Sequence, residues 1–419
     1  MQRFDWSDEG SRDVALARPR GREDAALLSA VRGIVDDVRA RGKAALVEQS
    51  VRIDGAAPER IAVAPFAARA RAELPAEAVA AMTLAARHIE TFHARTRPAD
   101  SEVIPFPGLT VAKQWRPLAS AGLYVPGGKA PLFSTLLMLA IPARVAGVAR
   151  RTVVTPPRPE GGLDLAIALA AEMAGIDAIW TVGGAQAIAA LAFGAGDIER
   201  CDLICGPGNA WVSAAKALVS SLPGGPGIDL PAGPSELLVI ADDSADPATV
   251  AADLLSQAEH DREAQVLLVS PSDSLIDAVA AELDRQSRLI DTDFAPARAI
   301  RCADLAEAVA ISNAYAPEHL SLATDQATDL VPAIASTGAI FVGHQAAESF
   351  GDYLAGSSHV LPTDGAARFT GGVSTLTFMK AITVQTISRE AARQLAVPAA
   401  ALARLEGLEA HARAAEARL

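Results

Sequence analysis

This sequence is poor in the residues on which several protein classes depend. It has three cysteines in 419 residues, Cys201, Cys205 and Cys302, with no CxxC pair. That excludes an even disulfide framework and points to a reduced, cytosolic chain. Aromatics make up 4%, too few for a β-sandwich, whose strands favour aromatic and β-branched residues. No uninterrupted apolar run reaches the ~18 residues that would suggest a membrane span. The start, MQRFDWSDEGSRD, is polar and acidic, unlike a signal peptide. Basic excess is also missing. The formal charge of −13 argues against a nucleic-acid partner, whose phosphates need a basic patch. That acidic field suits cationic small molecules weakly and is read chiefly as solubility.

What is present is alanine-rich, apolar and long. Half of the residues are hydrophobic, and the length exceeds what one core usually supports, so two or more domains are expected. Residues 22–97 carry apolar positions at helical spacing, as in AALLSAVRGIVDDVRARG and EAVAAMTLAARHIETFHARTRP. Residues 101–117 are broken by prolines and read as extended. From Tyr124 short apolar runs alternate with alanine-rich helices: RTVVTPP then LDLAIALAAEMAG, AIWTVGG then AQAIAALAFGAG, CDLICGPGN then AWVSAAKALVSS. This is the βαβ rhythm of a parallel sheet. It restarts after SLPGGPGIDLPAGPS with ELLVIAD, QVLLVSP, ARAIRCA, HLSLAT and GAIFVG and their helices. In CDLIC, Cys201 and Cys205 share a strand face, as buried small hydrophobes rather than ligands. The tail from about Ser374 reads as helical with charges of both signs, and is expected to pack on this chain or a second copy. The fold class is therefore α/β: two Rossmann-like parallel-sheet domains, an N-terminal helical segment and a helical C-terminal tail.

Three glycine-rich elements, GLYVPGGKAPL (122–132), VGGAQA (182–187) and GPGNAW (206–211), fall at predicted strand ends. Glycine there admits close backbone approach, and a following helix N-terminus favours phosphate. None matches GxGxxG, so each alone is an ordinary βα turn, while three together raise a nucleotide site. Lys129 in the first loop is read as a solvated cation.

Histidine usage is more pointed. His88 and His93 lie on a predicted helix, and His344 follows a strand without an acidic neighbour at ligand spacing; all three read as structural. Gln257 and His260 are three apart at the end of a predicted helix, so their side chains share a face. With His319, Asp352, His359 and His411 they could supply a metal site. Amide oxygen is an uncommon ligand, and chemistry alone favours Glu259 over Gln257. Donors of N/O type without thiolate suit a catalytic zinc better than a closed structural one. Spacing alone does not select the set. Glu318 and His319, in APEHLSLA, offer a carboxylate and an imidazole for proton transfer near neutral pH; alone, the pair is as readily a surface Glu beside a packed His.

Taken together, GLYVPGGKAPLFSTLLMLAIPARVAGV, VGGAQAIAALAFG, CGPGNAWV, IDLPAGPSELLVIAD, DLLSQAEH, NAYAPEHL, ESFGDYLAGSSHVLPT and LEAHA resemble histidinol dehydrogenase across nearly the whole chain. The resemblance implies oxidation of L-histidinol to L-histidine through L-histidinal with two NAD, the last steps of histidine biosynthesis. By position it implies zinc (Zn2+) on Gln257, His260, Asp352 and His411. It implies substrate contacts at Ser235, Gln257, His260, Glu318, Asp352, His359, Glu406 and His411, and NAD contacts at Tyr124, Gln186 and Asn209. Glu318 and His319 align with the catalytic bases. It further implies a homodimer whose tails cross, so that His411 completes the partner's site. The expected division is an arm, 1–17; a first α/β domain, 18–120 with 235–373; a second, NAD-binding domain, 121–234; and the tail, 374–419.

The runner-up reading is a related zinc- and NAD-dependent dehydrogenase acting on another small alcohol, such as a sulfonated diol. The presence of Glu406, His359 and His411 favours an imidazole- and amine-bearing substrate. A zinc hydrolase would call for an HExxH-like pair, and none occurs. A silent nucleotide-binding scaffold would tolerate loss of Glu318 or His319, and both are present.

Overall fold

A computed structural model describes residues 1–19, 25–127, 131–230 and 233–419. Lys129 lies outside the described residues. The first strands are β1 (Gln2–Asp5), β2 (Glu59–Ala62), β3 (Ser101–Phe106), β4 (Leu109–Pro117) and β5 (Ser120–Tyr124). Then come β6 (Arg150–Thr155), β7 (Ala178–Thr181), β8 (Leu203–Cys205), β9 (Gly227–Ile228) and β10 (Glu236–Ala241). The last are β11 (Gln265–Ser270), β12 (Ala297–Arg301), β13 (His319–Ala323), β14 (Ala339–Val342) and β15 (Met379–Ile387).

They form two six-stranded sheets, ordered β1-β12-β11-β10-β13-β14 and β2-β7-β6-β5-β8-β9, and a three-stranded sheet β15-β4-β3. The first sheet is parallel throughout; the second is parallel except at β2, which runs antiparallel to β7. The central strands LLVIA and VLLVS are buried at every position, as continuous apolar runs covered by helices on both faces should be. Five helices that follow strands begin on capping side chains: Asp164, Asn209, Asp246, Ser272 and Asp304 each accept from backbone N–H groups of the first turn. Both α/β units expected from the alternating pattern are present.

Three expectations change. The helices between 25 and 95 do not join the sheet of 236–342. The helix Ala25–Arg41 packs on Gly184–Phe193 and Ala210–Ser221, Ala64–Glu73 on Leu165–Ala174, and Ala76–Arg95 on Phe133–Ala146. Val31, Ile34, Val35 and Val38 enter the core of the second unit, as do Ala67, Ala70, Met82, Ala85 and Ile89. Their periodicity specifies an apolar face but not which sheet covers it. The arm is likewise not separate, because β1 is an edge strand of the first sheet. In the tail, MKAITVQTI is a strand rather than a helix, paired antiparallel to β4 from Met379↔Pro117 to Ile387↔Leu109. Its β-branched residues favour the extended chain. Helices Arg389–Leu405 and Glu409–Glu416 follow and pack on one another.

The three cysteines are free and buried. Burial pushes the Cys201 thiol up to about 11 and Cys205 well above its usual range, so they act as small hydrophobes. Among the described residues no helix is long and apolar enough to cross a membrane.

His93 is fully buried, with no hydrogen-bond partner on either ring nitrogen and its ring edge-on to Phe92. Burial pushes its imidazole from 6.5 down to about 4. The unfolded chain then binds a proton that the folded chain refuses, so stability is full above pH 6.5 and falls as the pH drops toward 4. This contribution is on the order of 3 kcal/mol. In a denaturant series across that range, His93→Leu should flatten the fall; an unchanged slope assigns it to other groups.

Candidate active site

The first polar cluster lies at the amino edge of the first sheet. Glu236 opens β10 and His319 opens β13, and the ladder between these strands begins at Leu237↔His319. The Glu236 N–H donates to Glu318 Oε2 at 2.9 Å, and the Glu236 carbonyl lies 3.1 Å from His319 Nδ1. A carbonyl oxygen only accepts, so the imidazole proton sits on Nδ1 and Nε2 keeps its lone pair. That Nε2 is buried without a hydrogen-bond partner and faces Asp352 Oδ1 at 3.9 Å. Burial pushes His319 down to about 4, with the Asp352 charge opposing. At neutral pH it is an uncharged proton acceptor. Burial pushes the Glu318 carboxyl well above the usual carboxylate range, against the lowering effect of the Glu236 N–H.

Potential ligands surround this pair. Gln257 ends the helix Pro247–Ala258, is 1% exposed, and neither of its amide atoms has a partner. His260, just beyond, places Nδ1 3.0 Å from the Ser256 carbonyl, which leaves Nε2 free by the same argument. Asp352 lies on the helix Glu348–Tyr353. His359 sits with Nδ1 3.2 Å from the Asp352 carbonyl and Nε2 2.9 Å from the Thr135 hydroxyl. The charges of Asp352 and His260 reach both His319 and His359, so these four side chains share one neighbourhood. A buried amide without partners is costly. An amide oxygen, a bare imidazole nitrogen and a carboxylate are donors that a zinc-type cation accepts. Among the described residues, no group of three or more His, Cys, Asp or Glu side chains is placed to hold a metal ion. Ser235 is half-buried beside Glu236, and its carbonyl accepts from the Gln265 N–H. Glu406 and His411 are exposed on the tail, and neither makes a side-chain hydrogen bond or ion pair with this cluster among the described residues.

Sequence reasoning missed Glu348. It is 2% exposed, neither carboxyl oxygen has a hydrogen-bond partner, and Oε1 lies 3.3 Å from His319 Nδ1. Burial, then the charges of Asp352, Glu318 and Asp253, push it well above the usual range. The signal was its spacing: Glu348 is one turn before Asp352 and shares its helix face. Nothing in the sequence pointed to Thr135.

The second cluster lies at the carboxyl edge of the other sheet, where strand order reverses between β5 and β8. This is where open α/β sheets bind ligands. Tyr124 ends β5, and its hydroxyl accepts from the Gly184 N–H at 3.3 Å. Burial pushes this phenol up to about 12. Asp54 Oδ2 accepts from the Gly183 N–H at 3.0 Å and from Gln186 Nε2 at 3.1 Å. Gln186 Oε1 is left buried without a partner. Asn209 caps its helix through Oδ1, and its amide nitrogen takes no part in the cap. Gly206 has φ +122, and a Cβ there would meet the Tyr124 carbonyl oxygen at 2.1 Å, so only glycine fits. Lys216 and Asp229, a buried ion pair, grip its peptide: Lys216 Nζ donates to its carbonyl at 2.8 Å, and its N–H donates to Asp229 at 2.7 Å. Thr135 links the clusters, because its helix, Phe133–Ala146, belongs to the second unit.

Comparison with known proteins bears on both clusters. The sequence profile of histidinol dehydrogenase matches residues 17–419. Histidinol dehydrogenase of Xanthomonas axonopodis pv. citri (strain 306) is 45% identical over 429 aligned residues, covering 100% of this chain and 99% of that protein. The Legionella pneumophila enzyme of the same name is 42% identical, covering 98% and 96%. The crystal structure of histidinol dehydrogenase from Elizabethkingia anophelis superposes with a TM-score of 0.94 at 36% identity, covering 100% and 98%. The chain belongs to the histidinol dehydrogenase family of NAD-dependent oxidoreductases.

Proposed function

We infer that this chain oxidises L-histidinol to L-histidine through L-histidinal, with two NAD consumed in succession, as the final steps of histidine biosynthesis. The observation that carries this reading is the neutral, dry His319 with Nε2 bare, flanked by Glu318 and by the donors Gln257, His260 and Asp352. An alcohol oxidation needs such a proton acceptor beside the carbon that loses hydride.

The residues divide the work. Tyr124, Gln186 and Asn209 are the proposed contacts at the switch point for NAD, which would supply the hydride acceptor. Gln257, His260, Asp352 and His411 would hold zinc, which would supply a Lewis acid to orient the substrate. Ser235, His359 and Glu406 complete the substrate contacts. His319 Nε2 takes the hydroxyl proton in the first oxidation. Glu318, in its ionised form, then removes a proton from the water that adds to the aldehyde. His319 takes the hydroxyl proton of the hydrate in the second oxidation.

The tail supports a shared site in a homodimer. Among the described residues, Glu406 and His411 make no site contacts within one chain, and Val397, Leu402 and Leu405 expose an apolar face on an amphipathic helix. A second copy of this chain would bring both residues to a site and cover that face.

Purified protein given L-histidinol and NAD should form two NADH per L-histidine, and a chelator should abolish turnover. NADH formation without L-histidine would refute the reading. Glu318→Gln should slow L-histidinal oxidation by roughly 10²–10³-fold while slowing alcohol oxidation far less, measured by supplying each substrate separately. Equal losses would remove Glu318 as water activator. Truncation before Leu408 should leave a protein that melts cooperatively but lacks turnover; a fully active truncate excludes His411 as an essential ligand.

A further inference from the structure

We propose that Arg18, just after the N-terminal arm, is a positioning residue for both catalytic bases. The proposal rests on the assignment of Glu318 and His319 to proton transfer.

Glu236 meets both bases at the start of its strand, one residue before the ladder with β13 opens at Leu237↔His319. Its N–H donates to the Glu318 carboxylate, and its carbonyl lies within hydrogen-bond distance of His319 Nδ1. The placement of this strand end therefore bears on both bases, and the Glu236 side chain shows what holds it. It is 1% exposed, and Arg18 meets it with two donors: Nε to Oε1 at 2.6 Å and Nη2 to Oε2 at 2.9 Å. The Asp364 N–H adds a third bond to Oε1 at 3.0 Å.

The same guanidinium grips the other strand. Arg18 Nη2 also donates to the carbonyls of Tyr315, at 2.9 Å, and Ala316, at 3.3 Å. Its Cζ lies over the Tyr315 ring, 3.8 Å from the ring centroid. Ala316 has φ +57, a left-handed conformation unusual for a residue with a Cβ, and it leads through Pro317 directly into Glu318 and His319. One planar group thus ties the segment bearing Ser235 and Glu236 to the segment bearing Glu318 and His319. A guanidinium can do this because its donors form a rigid fork and its face stacks on an aromatic ring; an ammonium supplies one point of charge. Arg18 touches no reacting group, so its effect on turnover runs through the relative placement of the two bases.

The test uses the full-length protein. Arg18→Met should lower kcat by about 10–100-fold, as expected for misplaced reacting groups. KM for L-histidinol should stay within about threefold of the parent, since ground-state binding is not what changes. Bound zinc should stay at the parent level, and the primary deuterium effect on kcat with carbinol-deuterated histidinol should rise. Arg18→Lys should fall between parent and Arg18→Met. A folded Arg18→Met with kcat within about twofold of the parent overturns the proposal, as does a loss matched by its unfolded fraction. Where Arg18→Met does not fold, Arg18→Lys decides by the same criterion. A parent that does not oxidise L-histidinol sinks the functional reading instead, whereas an active parent with indifferent Arg18 variants sinks only this inference.

Discussion

The amide and carbonyl of Glu236 meet the side chains of Glu318 and His319, and the site follows from those two contacts. Buried peptide groups must find partners, since leaving one unpaired costs about 1–3 kcal/mol. Here the partners are the two bases, so satisfying the peptide also sets the tautomer of His319 and the rotamer of Glu318. The imidazole is left with one nitrogen bonded and one nitrogen bare.

Burial supplies the chemistry of that arrangement. His319, Glu318 and Glu348 are each at most 6% exposed, and desolvation favours the neutral form of each. A neutral imidazole is ready to accept a proton. Carboxyls crowded around it with Asp352 resist ionising together, which makes the cluster receptive to positive charge. The unpartnered amide of Gln257 fits the same picture. These features are properties of the cluster, and none belongs to a single residue.

The two units contribute opposite edges. Cofactor contacts are proposed at the carboxyl ends of β5 and β8, the usual ligand position in such sheets. Glu318 and His319 sit at the amino edge of β10 and β13, where the helix carrying Gln257 returns and His260 follows it. The segment after Asp352 bridges the units: His359 meets Thr135, while Val360, Val373 and Phe378 enter the core of the second unit. The proposed cofactor contacts and the proposed bases, on different sheets, thereby share a common frame.

Much of this was readable from the chain. Alternating apolar runs and alanine-rich helices determined two α/β units, because strand and helix periods follow from local geometry. Motifs around Gln257, Glu318 and Asp352 pointed to the site through family resemblance. Glu348 was within reach by its helical spacing from Asp352. Other features depended on contacts across long sequence separations. Periodicity could not say that residues 25–95 cover the second sheet, since an apolar face does not name its partner. The strand at 379–387 needed β4 to pair with. Arg18 reads as one exposed-type cation among many until folding sets it against Glu236, 218 positions away. Residue types and local periods were written in the sequence, while the pairing of Glu236 with two bases and one arginine was decided by tertiary structure, because only packing brings four such distant groups into one water-poor space.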